Sequence, residues 1–187
     1  MNELFEDYAK YHPGIKYYFS KQEYEMTAKG YYEIYKDFLP KDKNAKILDI
    51  GCGTGHFLWL LKKLGYTHYR GIDISGESVQ FCKEHVTTNV LQAEAYEFLK
   101  GNDERWELIV MNDVIEHIPK EKIVPILKLV HSRLCSGGTV IIKTPNMDNP
   151  FCMYTRYHDF THEIGFNGNS LVQVLKMAGF DKISIHT

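Results

Sequence analysis

The sequence predicts an α/β fold in which a mainly parallel sheet is covered by helices. Short β-rich runs alternate with helical ones along most of the chain, the order expected of parallel strands joined by crossover helices. A turn with glycine at 51, 53 and 55 joins the first β-rich run to the helix after it. The chain has 187 residues, 44% of them apolar and 25% charged. That is enough for one sizeable core and short for a second full domain.

The first element is helical. Ser20 and Glu23 make an S-x-x-E capping pattern, and Tyr24, Ala28, Tyr31, Tyr35 and Phe38 then recur every three or four positions until Pro40. Residues 1–45 are expected to form a separate N-terminal helical segment whose aromatic stripe packs on the core. The core is expected over 46–187. Strands are predicted at Lys46–Ile50, Tyr69–Ile74, Val90–Gln92, Glu107–Asn112, Thr139–Lys143 and Lys182–Ile185, with helices at Gly55–Leu64, Ser75–His85, Ala95–Lys100, Lys120–Leu134 and Ser170–Ala178. Pro125 is a candidate kink in the fourth of these helices. Right-handed crossovers put every strand's C-terminal end on one edge. The stretch 144–169 follows the fifth strand, is rich in Asn, Pro, Gly and aromatics, and has no sustained period. A loop insertion of this length in a compact domain usually carries function, and it should hang over the ligand edge.

Composition narrows the partners. Twenty-two basic residues stand against 24 acidic ones, a formal net charge of −2, with no single-sign block. Nucleic acid and anionic membrane surfaces are therefore not expected. The first ten residues, MNELFEDYAK, have no apolar core of a leader, and no stretch approaches the roughly 18 apolar residues of a membrane helix. A cytoplasmic location is expected. Cys52, Cys82, Cys135 and Cys152 include no C-x-x-C pair, so neither a disulfide framework nor a thiolate zinc site is supported. Oligomeric state is not legible.

Gly51, Gly53 and Gly55 can take positive φ and bring backbone N–H groups close to a bound molecule, at a helix N-terminus that favours negative charge. The spacing is G-x-G-x-G, with His56 where a dinucleotide fingerprint needs its third glycine. With Ile47, Leu48, Asp49 and Ile50 ahead of it, the turn resembles the first motif of the class I S-adenosylmethionine-dependent methyltransferases. The resemblance implies a Rossmann-like three-layer sandwich and S-adenosyl-L-methionine as cofactor, held by Asp49, Gly51, Cys52, Gly53 and Gly55. Asp73, with Ile74 beside it, closes the second strand where the family has an acidic residue that accepts both ribose hydroxyl hydrogens; the alternative is a helix N-cap, for which Ser75 is better placed. Glu94 and Ala95 match the positions that approach adenine, although Glu94 can equally begin an exposed helix. Asn112, Asp113 and Val114 match the ligand edge of the fourth strand, and Gly137 and Gly138 the turn before the fifth. The family's sheet normally ends in a seventh, antiparallel strand, which is expected to be missing or truncated here.

A sulfonium already makes its methyl group electrophilic, so few catalytic residues are needed beyond a base for an alcohol acceptor. His117, in DVIEHI, and His162, in RYHDFTHEIGF, are the candidates. The bland alternatives are a backbone hydrogen bond for His117 and a loop-fixing contact for His162 with Glu163. Arg156, Asp159, Thr161 and His162, followed by Ala178, Gly179 and Phe180, resemble methyltransferases associated with bacterial surface polysaccharides and other sugars. The family's corresponding N-terminal region often lids the cofactor pocket, so the resemblance implies a helical cap or lid over 1–45, with substrate contacts from Tyr17 and Tyr18 of an aromatic segment that includes Tyr11 and Phe19; further contacts are expected from Arg156 and His158. Arg156 suits an anionic group but is equally consistent with an ordinary surface residue. His158, Asp159 and His162 would permit a metal, yet the spacing is not diagnostic and none is expected. The resemblance implies O-methylation of a small acceptor, a sugar or glycan precursor in polysaccharide biosynthesis. N- or phosphate-directed methyl transfer and a non-catalytic cofactor-binding module are the alternatives.

Overall fold

The structure, a computed structural model, describes residues 17–186. Tyr11 and most of the expected lid segment before Ser20 lie outside the described residues. Helix α1 (Lys21–Tyr35) starts where Ser20 Oγ accepts from Glu23 N at 3.3 Å, and it buries Tyr24, Ala28 and Tyr35. It stops at Tyr35 and a turn leads to Pro40. There follow β1 (Ile47–Ile50), α2 (His56–Lys63), β2 (Tyr69–Asp73), α3 (Gly76–His85), β3 (Val90–Gln92), α4 (Ala95–Gly101), β4 (Trp106–Asn112), a 3₁₀ turn (Ile115–His117), α5 (Lys120–Ser132), β5 (Leu134–Lys143), α6 (Cys152–His158) and α7 (Gly168–Met177).

The five strands are all parallel, in the order β3-β2-β1-β4-β5. β1 is central, with Ile50 facing Ile72 on one side and Met111 on the other. Its four residues are all buried, as a strand covered on both faces requires. The two-residue period of the strands sorts side chains between two cores. Ile47, Leu108 and Val110 join Tyr24, Tyr35, Phe57 and Leu61 under α1 and α2. Leu48, Ile109 and Met111 join Ile123, Leu127 and Leu175 under α5 and α7. Full burial of each such side chain contributes about 1.5–3 kcal/mol. The result is the expected Rossmann-like α/β sandwich.

Three local expectations are corrected. Lys182–Ile185 joins no ladder: Ile183 packs on the second core while Lys182, Ser184 and Ile185 are exposed, so only one residue of the expected strand is covered and none pairs. The five-stranded sheet of the described residues is all parallel, in keeping with the expected parallel sheet. α5 continues through Pro125 but ends at Ser132, because Leu134 already pairs with Trp106; an irregularity at Gly137 and Gly138 then resets the register to Leu108 with Thr139. The stretch 144–169 contains α6 and a parallel bridge between Asn146 and Phe166, and α7 begins at Gly168, two residues before its expected start, because Asn167 caps it through Ser170. No described helix is long and apolar enough to cross a membrane.

Candidate active site

The strand order reverses between β1 and β4, and ligands of open α/β sheets sit at the carboxyl edge of such a point. The glycine turn lies there, tied to β2 by Gly51 N and Cys52 N, which both donate to Ile72 O. Its glycines have different reasons to be glycine. At Gly51 (φ 70°) a Cβ would lie 2.3 Å from Val114 Cγ2, and at Gly55 (φ 92°), the residue that starts α2, 2.5 Å from Cys82 Sγ. At Gly53 (φ 52°) it would meet no protein atom within 4 Å.

Asp73 faces this turn. Its Oδ2 accepts from Gly53 N at 2.7 Å and its Oδ1 from Ser75 N at 2.8 Å. Burial pushes its carboxyl up, opposed by these backbone donors and by that of Ile74. Ser75, not Asp73, caps α3 by accepting from Ser78 N. Each Asp73 oxygen keeps lone-pair capacity after its backbone bond, so the carboxylate can still accept two hydroxyl hydrogens.

Asp49 occupies a different environment. It is 1% exposed, its Oδ1 has no hydrogen-bond partner, and it does not line the cavity. Burial, and secondarily the charge of Asp73, holds its carboxyl well above the usual range. A folded-state pKa above the unfolded one gives stability that is present at low pH and lost as pH rises. Asp49→Asn should therefore gain on wild type in melting temperature as pH rises above the ordinary carboxylate range; a difference that does not change with pH would refute this reading.

A cavity of ≈ 610 Å³ runs along the sheet edge from the turn to the connections after β4 and β5. Gly51, Gly53, Asp73, Ile74, Glu94 and Ala95 line one end, and Glu94 also caps α4 through Glu97 N. Val114 packs beside Gly51 at that same end, and Asp113, Glu116, His117, His158 and His162 line the other. Besides Asp49, six expected residues lie off the wall. Gly55 is inside the α2 junction, and Cys52 is buried behind the turn against Gly71. Asn112 Oδ1 accepts from Tyr35 OH at 2.5 Å. Tyr17 OH meets Ser78 Oγ, itself a lining residue, whereas Tyr18 is 72% exposed. Arg156 donates to the carbonyls of His162 and Glu163 and so clamps its own loop.

The far end carries a connected polar cluster. Glu116 is 2% exposed; its Oε2 accepts from Thr144 Oγ1 at 3.0 Å and its Oε1 has no partner. Burial pushes its carboxyl up to about 7. Its carbonyl accepts from Glu163 N and Ile164 N, which seats the insertion on the 3₁₀ turn. Thr161 Oγ1 donates to Asp159 Oδ1 at 2.7 Å and lies 2.9 Å from His117 Nδ1. A hydroxyl has one hydrogen, and here it goes to the carboxylate. His117 Nδ1 is therefore the donor to Thr161, and the imidazole lone pair is at Nε2. Burial, then the neighbouring His162, lowers the His117 pKa to about 4, so the ring is neutral near pH 7. The two imidazoles are 4.6 Å apart between ring centres. His162 Nδ1 is buried without a partner and its Nε2 is 4.0 Å from Asp159 Oδ2. His117 bonds the Thr161 side chain and also its backbone, so the backbone contact expected as the bland alternative is among its interactions, while His162 Nδ1 has no partner.

Glu116 was not among the residues expected at the site. The available signal was a lone carboxylate between Ile115 and His117 in an otherwise apolar run. Asp113 is the one described non-glycine residue at positive φ (53°), held by an ion pair with Lys143 and by its N–H to Lys143 O.

Fold and site together define a class I S-adenosylmethionine-dependent methyltransferase domain. Residues 19–185 match the family model described as "Methyltransferase domain", and the chain belongs to that family. It superposes on a SAM-dependent methyltransferase from Archaeoglobus fulgidus with TM-score 0.76 and 26% identity, covering 96% of this chain and 74% of that one. It is 30% identical over 98 residues to a ribosomal protein L11 methyltransferase of Desulforapulum autotrophicum, covering 52% of this chain and 32% of the relative. It is 26% identical over 125 residues to the mitochondrial ubiquinone biosynthesis O-methyltransferase of Candida albicans, covering 62% and 37%. The chain thus spans well under two thirds of these curated relatives. Its cofactor is S-adenosyl-L-methionine, and the residues present fit it: a turn left bare at Gly53 beside a buried carboxylate with spare acceptor capacity, at one end of an open cavity.

Proposed function

We propose that the chain moves the methyl group of S-adenosyl-L-methionine to an oxygen of a small acceptor, with a sugar or glycan precursor as the favoured class. The observation that carries this reading is one continuous cavity with the glycine turn and Asp73 at one end and His117 at the other. In this reading Asp73 grips the ribose hydroxyls, Glu94 and Ala95 border the adenine, and Gly51, Gly53 and Val114 shape the amino-acid end. The bound sulfonium supplies an electrophilic methyl group. Methyl transfer makes the acceptor's C–O bond as the C–S bond breaks with its electron pair going to sulfur, and the hydroxyl proton must leave. His117, neutral and with its lone pair at Nε2, is suited to receive that proton, and Asp159 and Thr161 keep the ring in this tautomer. Asp113, Glu116, His158 and Asp159 place a few polar groups in an otherwise largely apolar lining, which supports an acceptor that presents hydroxyls on an apolar ring face, in keeping with the sugar-type motif around Arg156 and His162.

The test is formation of S-adenosylhomocysteine, with an acceptor mass gain of one methylene, across sugars, sugar nucleotides, amines and phosphate esters. His117→Gln should lower turnover by about 10²–10⁴-fold, the range for loss of a general base, with cofactor affinity unchanged. Cofactor binding without turnover on any acceptor would favour a non-catalytic module, and turnover indifferent to His117→Gln would favour an acceptor that needs no base.

A further inference from the structure

We propose that Glu116, His117 and His162 form a binding site for a divalent first-row transition-metal ion, which holds the acceptor's oxygen atoms at the far end of the cavity. The proposal deepens the methyl-transfer reading and rests on it for the acceptor, but the ion site itself stands on separate geometry. One ligand atom from each of the three residues lies within 4.8 Å of the others. Donors bound at about 2.0–2.2 Å around one tetrahedral ion lie about 3.3–3.6 Å apart, so the widest pair closes by up to about 1–1.5 Å as the ion binds.

Two of the three residues carry a buried polar atom that no protein group satisfies, Glu116 Oε1 and His162 Nδ1. Such atoms are unfavourable unless something pairs with them, and a cation between them would satisfy both. Glu116 and His117 are also held from behind, as metal ligands are. Thr144 Oγ1 bonds the other oxygen of Glu116. Thr161, tied to Asp159 Oδ1, bonds His117 Nδ1 and directs its lone pair to Nε2. Asp159 Oδ2 lies 4.0 Å from His162 Nε2, so the carboxylate that holds His117 through Thr161 also faces the second imidazole, although not at hydrogen-bond distance.

Two imidazoles and one carboxylate suit zinc, cobalt, manganese or iron rather than magnesium or calcium, which prefer all-oxygen sets. Three protein ligands leave coordination positions for substrate, and these ligands line the cavity. Adjacent hydroxyls of a sugar ring offer the paired oxygens that such a face can chelate. On the ion, the acceptor hydroxyl would lose its proton to water more readily, leaving an oxygen whose electron pair can attack the methyl carbon. His117 would then act as a ligand rather than as the base.

The test uses the tag-free chain, stripped with a chelator and titrated with Co²⁺ while visible absorption is followed, with S-adenosylhomocysteine calorimetry on the same samples. One equivalent of Co²⁺, displaceable by Zn²⁺, is expected. Glu116→Gln and His162→Ala should each weaken it at least tenfold, and Thr161→Val, which touches no ion, by about 10–100-fold. Their S-adenosylhomocysteine affinity should match wild type, which reports that they fold. A stripped protein that binds S-adenosylhomocysteine but no Co²⁺, or a Co²⁺ affinity indifferent to Glu116→Gln and His162→Ala, overturns the ion site and leaves the methyl-transfer reading standing. Stoichiometric Co²⁺ sensitive to those variants, with no affinity for S-adenosylhomocysteine, supports the ion site and removes that reading instead.

Discussion

Asp73→Ala is expected to weaken S-adenosylhomocysteine binding by at least about 100-fold. A hydrogen bond to a charged acceptor is worth about 1.5–3 kcal/mol, and the proposed ribose grip has two. Their loss, at 1.4 kcal/mol per tenfold change, gives that figure or more. The same side chain pins Gly53 N and Ser75 N, so its removal also frees the turn it faces and the start of α3. Asp73→Asn keeps one acceptor oxygen and should fall between alanine and wild type. Calorimetry gives the affinities and circular dichroism shows that the variants fold. An alanine variant that binds as well as wild type would disprove the grip.

Gly51→Ala should have the largest effect on stability. The added Cβ would lie 2.3 Å from Val114 Cγ2, far inside contact distance, at φ 70°. The left-handed conformation costs a side chain about 1–2 kcal/mol and overpacking a further 1–3 kcal/mol. At roughly 2–4 °C per kcal/mol for a chain of this size, melting should fall by about 5–15 °C. Adding Val114→Ala should restore the overpacking part and leave the conformational part, so a double variant no more stable than Gly51→Ala alone would show the contact to be unimportant. Gly53→Ala provides the contrast. It meets no atom, so its stability cost is conformational only, whereas its position on the cavity wall should make the loss of cofactor affinity the larger effect.

The elements that were legible in the sequence are those set by local chemistry. Ser20, Ser75 and the run Ile47–Ile50 announce a helix start, a cap and a buried strand through their own side chains, and each lies where its pattern indicated. The glycine turn was legible because a left-handed backbone at three closely spaced positions leaves few other residues usable. The rest depends on distant partners. Alternation at Lys182–Ile185 points to a strand, but a ladder needs a neighbouring strand, which periodicity cannot see. Glu116 and His162 are far apart in sequence and meet because the carbonyl of Glu116 receives the N–H groups that follow His162. Arg156 looked like an anion binder because its guanidinium could be either exposed or engaged; two backbone carbonyls engage it.

The two ends of the cavity have unequal foundations. The turn and Asp73 are hydrogen-bonded to the central strands, whereas His162, Thr161 and Asp159 hang from a connection fastened by Arg156, by Glu116 O and by one bridge to Phe166. A descendant of this chain could exchange that connection and acquire a new molecule to modify, while inheriting intact the apparatus that presents the methyl donor. Chemistry would stay constant across such a lineage as its clientele drifted.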